Sequence, residues 1–262
     1  MNPTFIMMVG LPYSGKSYYA EKLSKEYGAV IHSSDAIRAE ILGDVQDQNN
    51  NGLVYVAFSG GKDSTVLLDL VRRIYPDVPA VFCDTGLEFP EIRQFAMSVN
   101  NVVVLRPEMN FKKVIETYGY PIVSKRVADT VEYGHKPGSF RWKELHGEII
   151  RSNGTKSEFN CEKWCYLLDA PFKVSSRCCN IMKKKPMKKY SKETGRVPII
   201  ATMADESRSR RSVWMSTGCN AFQKKSPSSQ PMSFWTENDV LEYIHTYNIP
   251  YASVYGDIVP CG

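Results

Sequence analysis

At 262 residues the chain can make one large α/β domain or two small ones. Hydrophobic residues are 43% and charged residues 23% of it, values that exclude wholesale disorder and collagen-like or coiled-coil chains. No apolar run approaches the ~20 residues of a membrane-spanning helix. Met1-Asn2-Pro3-Thr4 brings no basic region, and Phe5–Val9 is too short for a secretory signal, so the expectation is a cytoplasmic chain with no membrane partner. Thirty-three basic residues against 28 acidic give +5, an excess that suits an anionic ligand and is too small by itself to argue for nucleic acid. Seven cysteines in such a compartment read as core, metal or redox residues before disulfides.

Two segments each read strand, glycine loop, helix. The first runs from the strand Thr4–Val9 through Gly10–Ser17 into an amphipathic stretch that ends near Tyr27, with Ala29–His32 and Ser34–Leu42 as a further short strand and helix. The polar stretch Gly43–Gly52 has almost nothing to bury and reads as a junction. This puts one unit at residues 1–48 and another at 49–262. After the junction come a strand at Leu53–Phe58, a loop at Ser59–Ser64, and a helix at Thr65–Ile74 with apolar Val66, Leu67, Leu70, Val71 and Ile74. A strand at Val78–Cys83, a Pro90-initiated helix to Val99, and β-rich runs at Val102–Leu105 and Val197–Thr202 follow. Thr236–Tyr247 reads as a helix with Thr236 as N-cap and Asp239 at the third position, close to a capping box. Asp129–Asp169 is polar and aromatic without a clear period, an insertion or a lid. Strands alternating with helices predict an α/β fold, a mostly parallel sheet with helices on both faces.

Gly10-Leu-Pro-Tyr-Ser-Gly15-Lys16-Ser17 fits G-x-x-x-x-G-K-[ST] between a strand and a helix. Backbone N–H groups there can cradle phosphates, with Lys16 neutralising them and the Ser17 hydroxyl on Mg²⁺. The segment resembles the start of a phage-type polynucleotide kinase. That resemblance gives Asp35 the role of base and Arg38 a phosphate contact, where the residues alone allow Asp35 to be a helix cap. It stops near residue 44, before a Walker-B strand, adenine site or lid, so the segment reads as a truncated P-loop kinase piece, too small to bury its own core.

The second loop is Ser59-Gly60-Gly61-Lys62-Asp63-Ser64. Two glycines allow close approach of backbone to an anion, the helix start favours negative charge, and Ser59, Ser64 and Lys62 offer donors, with Asp63 holding the loop. In order after it come Cys83-Asp84-Thr85-Gly86-Leu87-Glu88-Phe89-Pro90-Glu91, Arg177-Cys178-Cys179, Ala204-Asp205-Glu206-Ser207-Arg208 and Phe234–Val240. Together these resemble the phosphoadenosine phosphosulfate (PAPS) reductase family of the PP-loop adenine nucleotide α-hydrolases, over residues 52–258. The resemblance implies a five- or six-stranded sheet with the nucleotide at the carboxyl ends of its strands. The nucleotide, PAPS, adenosine phosphosulfate (APS) or ATP, would be bound by Ser59–Ser64, by Asp84, Thr85, Gly86 and Glu88, and by Arg208. Together with Arg208, Arg210 and Arg211 could grip a sulfate or phosphate by paired hydrogen bonds, a solvated charge run being the competing account for those two.

In the iron–sulfur branch of that family an adjacent cysteine pair such as Cys178-Cys179 binds a [4Fe–4S] cluster. The chain lacks the later C-x-x-C of that pattern, and Cys219 and Cys261 are the candidates to complete four thiolates. Cys161-x-x-x-Cys165 is a third possibility with a spacing weak for zinc, and buried reduced thiols are the competing reading, the better one for Cys83. Cys261-Gly262 echoes the family's reducing tail motif but follows the Thr236 helix too closely, which makes Cys261 a poor candidate nucleophile. The Lys183–Lys189 run reads as a solvated basic face, with a nucleotide 3′-phosphate or nucleic acid as the alternative. The function implied is reduction of activated sulfate to sulfite with thioredoxin or glutaredoxin as partner. The alternatives are a PP-loop ATP pyrophosphatase acting in sulfur transfer to nucleic acid, and a non-catalytic nucleotide-binding module.

Overall fold

The structure, a computed structural model, describes residues 54–220 and 226–258 and a two-residue helical stretch at 25–26. The chain divides into two units, residues 1–50 and 51–262, and the described fold belongs to the second. Four strands, β1 (Val54–Phe58), β2 (Ala80–Cys83), β3 (Val102–Leu105) and β4 (Val197–Ile199), form one sheet in the order β3-β2-β1-β4. Every pairing is parallel, with Val56 opposite Ala80, Ala80 opposite Val102, and Val54 opposite Val197. All four carboxyl ends therefore lie at one edge.

Alternation along β1 assigns the two faces. Val56 and Phe58 enter the main core with Val66, Leu67 and Val71 of α1 (Lys62–Arg72), Ala96 of α2 (Pro90–Ser98), and Val240, Tyr243 and Ile244 of the capped C-terminal helix Glu237–Tyr247. Tyr55 points the other way. Its ring meets Tyr190 edge-on at 5.2 Å and its hydroxyl lies 3.1 Å from Ser191 Oγ, both on the helix Lys185–Thr194. Helices thus cover both faces, as the alternating pattern predicts. The capping box of Thr236 and Asp239 is formed.

Three expectations change. Among the described residues the sheet has four strands rather than five or six. A single parallel bridge, Ile199 to Ser229, stands beside β4 where a fifth strand would run. β4 itself ends at Ile199 rather than Thr202, because the Ile200 N–H turns to the Ser229 carbonyl at 2.8 Å. α1 begins at Lys62, three residues before the expected Thr65, which places Lys62, Asp63 and Ser64 in its first turn.

The aperiodic stretch Asp129–Asp169 is helical in part. Helix α3 (Phe111–Tyr118) precedes it. α4 (Lys125–Tyr133) leads into it, and with α5 (Phe140–Leu145) and a 3₁₀ helix (Glu162–Asp169) encloses a separate core of Val127, Ala128, Val131, Leu145, Cys161, Leu167 and Val174. Asn110, Ser124 and Ser139 cap α3, α4 and α5. Helices of six to nine residues span too few turns to display a 3.6-residue period. Glu144, fully buried there, accepts from Arg126, Arg141 and Thr130. On the outer side of α4, Asp129 and Glu132 accept from Ser176, Ser175 and Arg177, fixing the segment that leads into Cys178-Cys179.

Candidate functional site

The strand order reverses at β1. From β1 the chain moves outward to β2 and β3, then returns to place β4 on the other side, so the loops after β1 and β4 diverge. Open parallel sheets bind ligands in the crevice at such a switch point, outside the carboxyl ends of the strands. The loop Ser59–Ser64 follows β1 there. Gly60 has φ +74°, and a Cβ on it would lie 2.9 Å from Ile92 Cγ2 and 3.0 Å from the Ile92 carbonyl oxygen. Only glycine fits against α2 at that position.

The serine hydroxyls bond within the loop. Ser64 Oγ donates to the Gly61 carbonyl at 2.9 Å, accepts from Ser59 N–H at 3.2 Å and lies 3.0 Å from Ser59 Oγ. These bonds shape the loop. The groups left for an anion are the first N–H groups of α1, because the Thr65 N–H is the one that closes on the Gly61 carbonyl at 3.0 Å. Lys62 adds a full charge. Its ammonium lies 2.9 Å from Asp63 and 3.1 Å from Glu237. Burial alone would lower its pKa, but the two carboxylates outweigh that and hold it above the ordinary lysine value. Asp63 thus anchors Lys62.

At the end of β2, Asp84 is buried and spoken for. Its carboxylate accepts from Arg93 of α2 at 3.1–3.2 Å and lies 3.8 Å from Arg106, which directly follows β3. The hydrogen-bonded Arg93 guanidinium holds its pKa below the ordinary aspartate value. Glu88 accepts from the N–H and hydroxyl of Thr85 and from the Leu87 N–H, closing the turn around Gly86, φ +74°. The acidic edge therefore organises the loop and aims two arginines, instead of presenting free carboxylates to a nucleotide. An open cavity of about 530 Å³ lies against it, walled by Gly86, Glu88, Pro90, Arg93, Gln94 and Met97.

After β4, Ser207 caps the helix Arg208–Thr217 by accepting from the Arg210 N–H. Arg210 pairs with Glu206 and Arg211 with Asp205. Arg208 forms no ion pair among the described residues, so of the three arginines it remains available to an anion. The lysines of the basic run lie on a π turn (Asn180–Lys184) and the helix Lys185–Thr194, and Lys183, Lys184, Lys185, Lys188 and Lys189 are all exposed.

The cysteines do not gather. Cys83, at the end of β2, donates to the Met182 carbonyl at 3.1 Å, and burial with the nearby Glu88 raises its pKa, which fits a structural thiol. Cys178 packs beside Val114, Ile181 and Met182, and burial pushes its thiol up, with Cys179 beside it. Among the described residues no three Cys, His, Asp or Glu side chains are placed to hold a metal. Cys178, Cys179 and Cys219 therefore do not form three corners of a cluster site, and Cys261 lies outside the described residues. Gly15, Lys16, Ser17, Asp35 and Arg38 lie outside them as well.

Sequence reasoning passed over four residues of this edge: Glu237, Arg93, Arg106 and Tyr255. The Tyr255 hydroxyl stands 3.2 Å from where a Gly61 Cβ would be. Arg106 could have been found from its place immediately after β3. The other three reach the edge only through tertiary packing.

Known proteins resemble the chain over these same parts. Residues 5–78 match an AAA domain family, and residues 53–131 with 151–258 match the phosphoadenosine phosphosulfate reductase domain. An adenosine 5′-phosphosulfate reductase from Geobacillus kaustophilus is 27% identical over 201 residues, covering 76% of this chain and 65% of that one. A sulfate adenylyltransferase subunit 2 from Aliivibrio fischeri is 25% identical over 205 residues, 76% of this chain and 58% of that one. An uncharacterized protein from Methanocaldococcus jannaschii is 36% identical over 89 residues, 32% of this chain and 21% of the other. The chain thus spans between a fifth and two thirds of the length of these three relatives. The PAPS reductase from Candida auris, solved with phosphate, aligns with a TM-score of 0.43 at 14% identity, covering 89% of this chain and 98% of that one. With the reductase-domain match running through the phosphate loop, the Asp84 edge, the cysteine pair and the Arg208 region, the chain belongs to the phosphoadenosine phosphosulfate reductase domain family.

Proposed function

We propose that the carboxyl edge of this sheet binds a sulfonucleotide, PAPS or APS, and that the chain reduces its sulfate to sulfite. The observation that carries the reading is the first turn of α1 at the switch point. Unclosed N–H groups, the helix dipole and Lys62 converge there, and Arg208, in the segment after β4, has no carboxylate partner among the described residues. In the reaction a thiolate attacks the sulfur, the bond from sulfur to the bridging phosphate oxygen breaks, and the adenosine phosphate leaves. A second thiol then releases sulfite and forms a disulfide, which a thioredoxin- or glutaredoxin-type dithiol reduces. Cys83 donates to the Met182 carbonyl, and burial raises its pKa, which favours a structural role for it over the nucleophile's.

A second reading uses ATP. Relatives named sulfate adenylyltransferase subunit 2 cover 76% of the chain, as does the reductase, and a loop that holds a sulfate-bearing phosphate can hold a pyrophosphate by the same N–H groups. Calorimetry with PAPS, APS and ATP in parallel, followed by mass spectrometry of the products, separates the two. Lys62→Ala should weaken binding of the preferred nucleotide about 10-fold or more, since a charge-assisted contact contributes about 1.5–3 kcal/mol. Silence of Lys62→Ala together with loss on Lys16→Ala would move the site to the first loop. Sulfite release from PAPS or APS with excess dithiol, compared with Cys261→Ser, tests the reductase; adenylylated product and pyrophosphate from ATP would replace it with the second reading.

A further inference from the structure

We propose that Cys165 and His146 form a thiol–imidazole pair that undergoes exchange with small disulfides, a covalent site separate from the nucleotide edge. Cys165 lies in the 3₁₀ helix Glu162–Asp169, and His146 is the residue that ends α5. Cys165 Sγ is 3.7 Å from His146 Nε2. The other ring nitrogen, Nδ1, lies 2.8 Å from the Trp142 carbonyl oxygen. A carbonyl can only accept, so Nδ1 carries the proton and the lone pair of Nε2 faces the sulfur. The indole of Trp142 stacks on the imidazole with centroids 3.9 Å apart and planes 21° from parallel, which fixes the ring's plane as the carbonyl fixes its tautomer. Nucleophile, base and orienting group are thus in series, the arrangement that activates a thiol.

The chemistry follows from what surrounds the sulfur. The hydrogen-bond partner of Cys165 Sγ among the described residues is His146. Thiol–disulfide exchange needs only a thiolate and access. Both residues are half-buried, so a small disulfide can reach them while the pair keeps its packing. His146 Nε2 takes the thiol proton as Sγ attacks one sulfur of the disulfide. The S–S bond breaks, the mixed disulfide forms on Cys165, and the departing thiolate collects the proton from the imidazolium. One disulfide and one thiol give one mixed disulfide and one thiol. Cys161, four residues earlier, is a poor competitor because it is buried and donates to the Phe159 carbonyl at 3.2 Å. His146 lies in the stretch 132–150 that the reductase-domain match skips, while Cys165 lies inside the matched stretch 151–258, so the base of the pair comes from outside the matched domain.

The test uses the full chain with glutathione disulfide as probe and peptide mass spectrometry to read the modification rate at each cysteine. In the native chain Cys165 should react faster than in the same chain unfolded in urea, and His146→Gln should slow it at least about tenfold while Cys179 is unchanged. Native Cys165 reacting no faster than in urea overturns the proposal whatever the variant does. Equal Cys165 rates in the native chain and His146→Gln overturn it too. Should His146→Gln loosen the insertion, shown by a rise at buried Cys161, the native-against-urea comparison decides.

Discussion

Gly60 and Gly86 offer a paired experiment, because both have φ +74° and only one is crowded. A Cβ at Gly86 would meet nothing within 4 Å, so Gly86→Ala carries only the cost of a left-handed alanine, about 1–2 kcal/mol. At Gly60 the same methyl would lie 2.9 Å from Ile92 Cγ2, 3.0 Å from the Ile92 carbonyl oxygen and 3.2 Å from Ala96 Cβ. The Ile92 side chain can yield, but the carbonyl belongs to α2 and moves only with the helix. Overpacking of that kind adds about 1–3 kcal/mol, so Gly60→Ala should cost about 2–5 kcal/mol in all. For a unit of this size each kcal/mol lowers Tm by about 2–4 °C. Urea unfolding followed by tryptophan fluorescence gives the two free energies, and calorimetry gives nucleotide affinity. Gly60→Ala should be the more destabilised and should also lose affinity, since pushing the loop from α2 displaces the first turn of α1. Equal destabilisation of the two variants would show that the approach of Ile92 does not constrain the loop, and the reasoning would fail.

Glu144→Gln should destabilise the helical insertion by about 2–3 kcal/mol. The figure stays below the ~3–5 kcal/mol of a fully buried pair because Arg126 and Arg141 are 42% and 34% exposed and can rehydrate. Burial alone would raise the Glu144 pKa, but Arg141, Arg126 and Thr130 outweigh it and hold the folded value below the ordinary 4.5. Its stabilisation is therefore complete above pH 4.5 and fades as pH falls through the lower folded value, a decline that acid titration of insertion stability should lose in Glu144→Gln. Tyr243→Phe removes a 2.7 Å hydrogen bond to Asp69 across the contact of α1 with the C-terminal helix, and should cost about 1–2 kcal/mol in urea unfolding; a neutral result would mean that Arg73, 2.6 Å from the same carboxylate, satisfies Asp69 without it.

The parallel sheet was legible in the sequence because each strand is a short β-branched run followed by turn residues and a helix: Val54–Phe58, Ala80–Cys83 and Val102–Leu105 are all found within two residues of where the pattern puts them. Ser59–Ser64 was legible for a similar reason, since a glycine pair between strand and helix has few other uses, and so was the capping box at Thr236. These are local facts, fixed by neighbours along the chain. Position in the sheet is not local. That β4 lies beside β1, and so makes β1 the point where the strand order reverses, depends on pairing across more than a hundred residues of intervening chain. The roles of side chains were decided in the same way. Ser59 and Ser64 face inward because each other's hydroxyls and the Gly61 carbonyl lie within reach, Asp84 is neutralised because α2 brings Arg93 to it, and Glu237 meets Lys62 because its helix packs on α1. Residue type and spacing announce which groups can do chemistry; only tertiary packing decides which are already satisfied and which, like Arg208 and the first N–H groups of α1, keep no partner among the described residues.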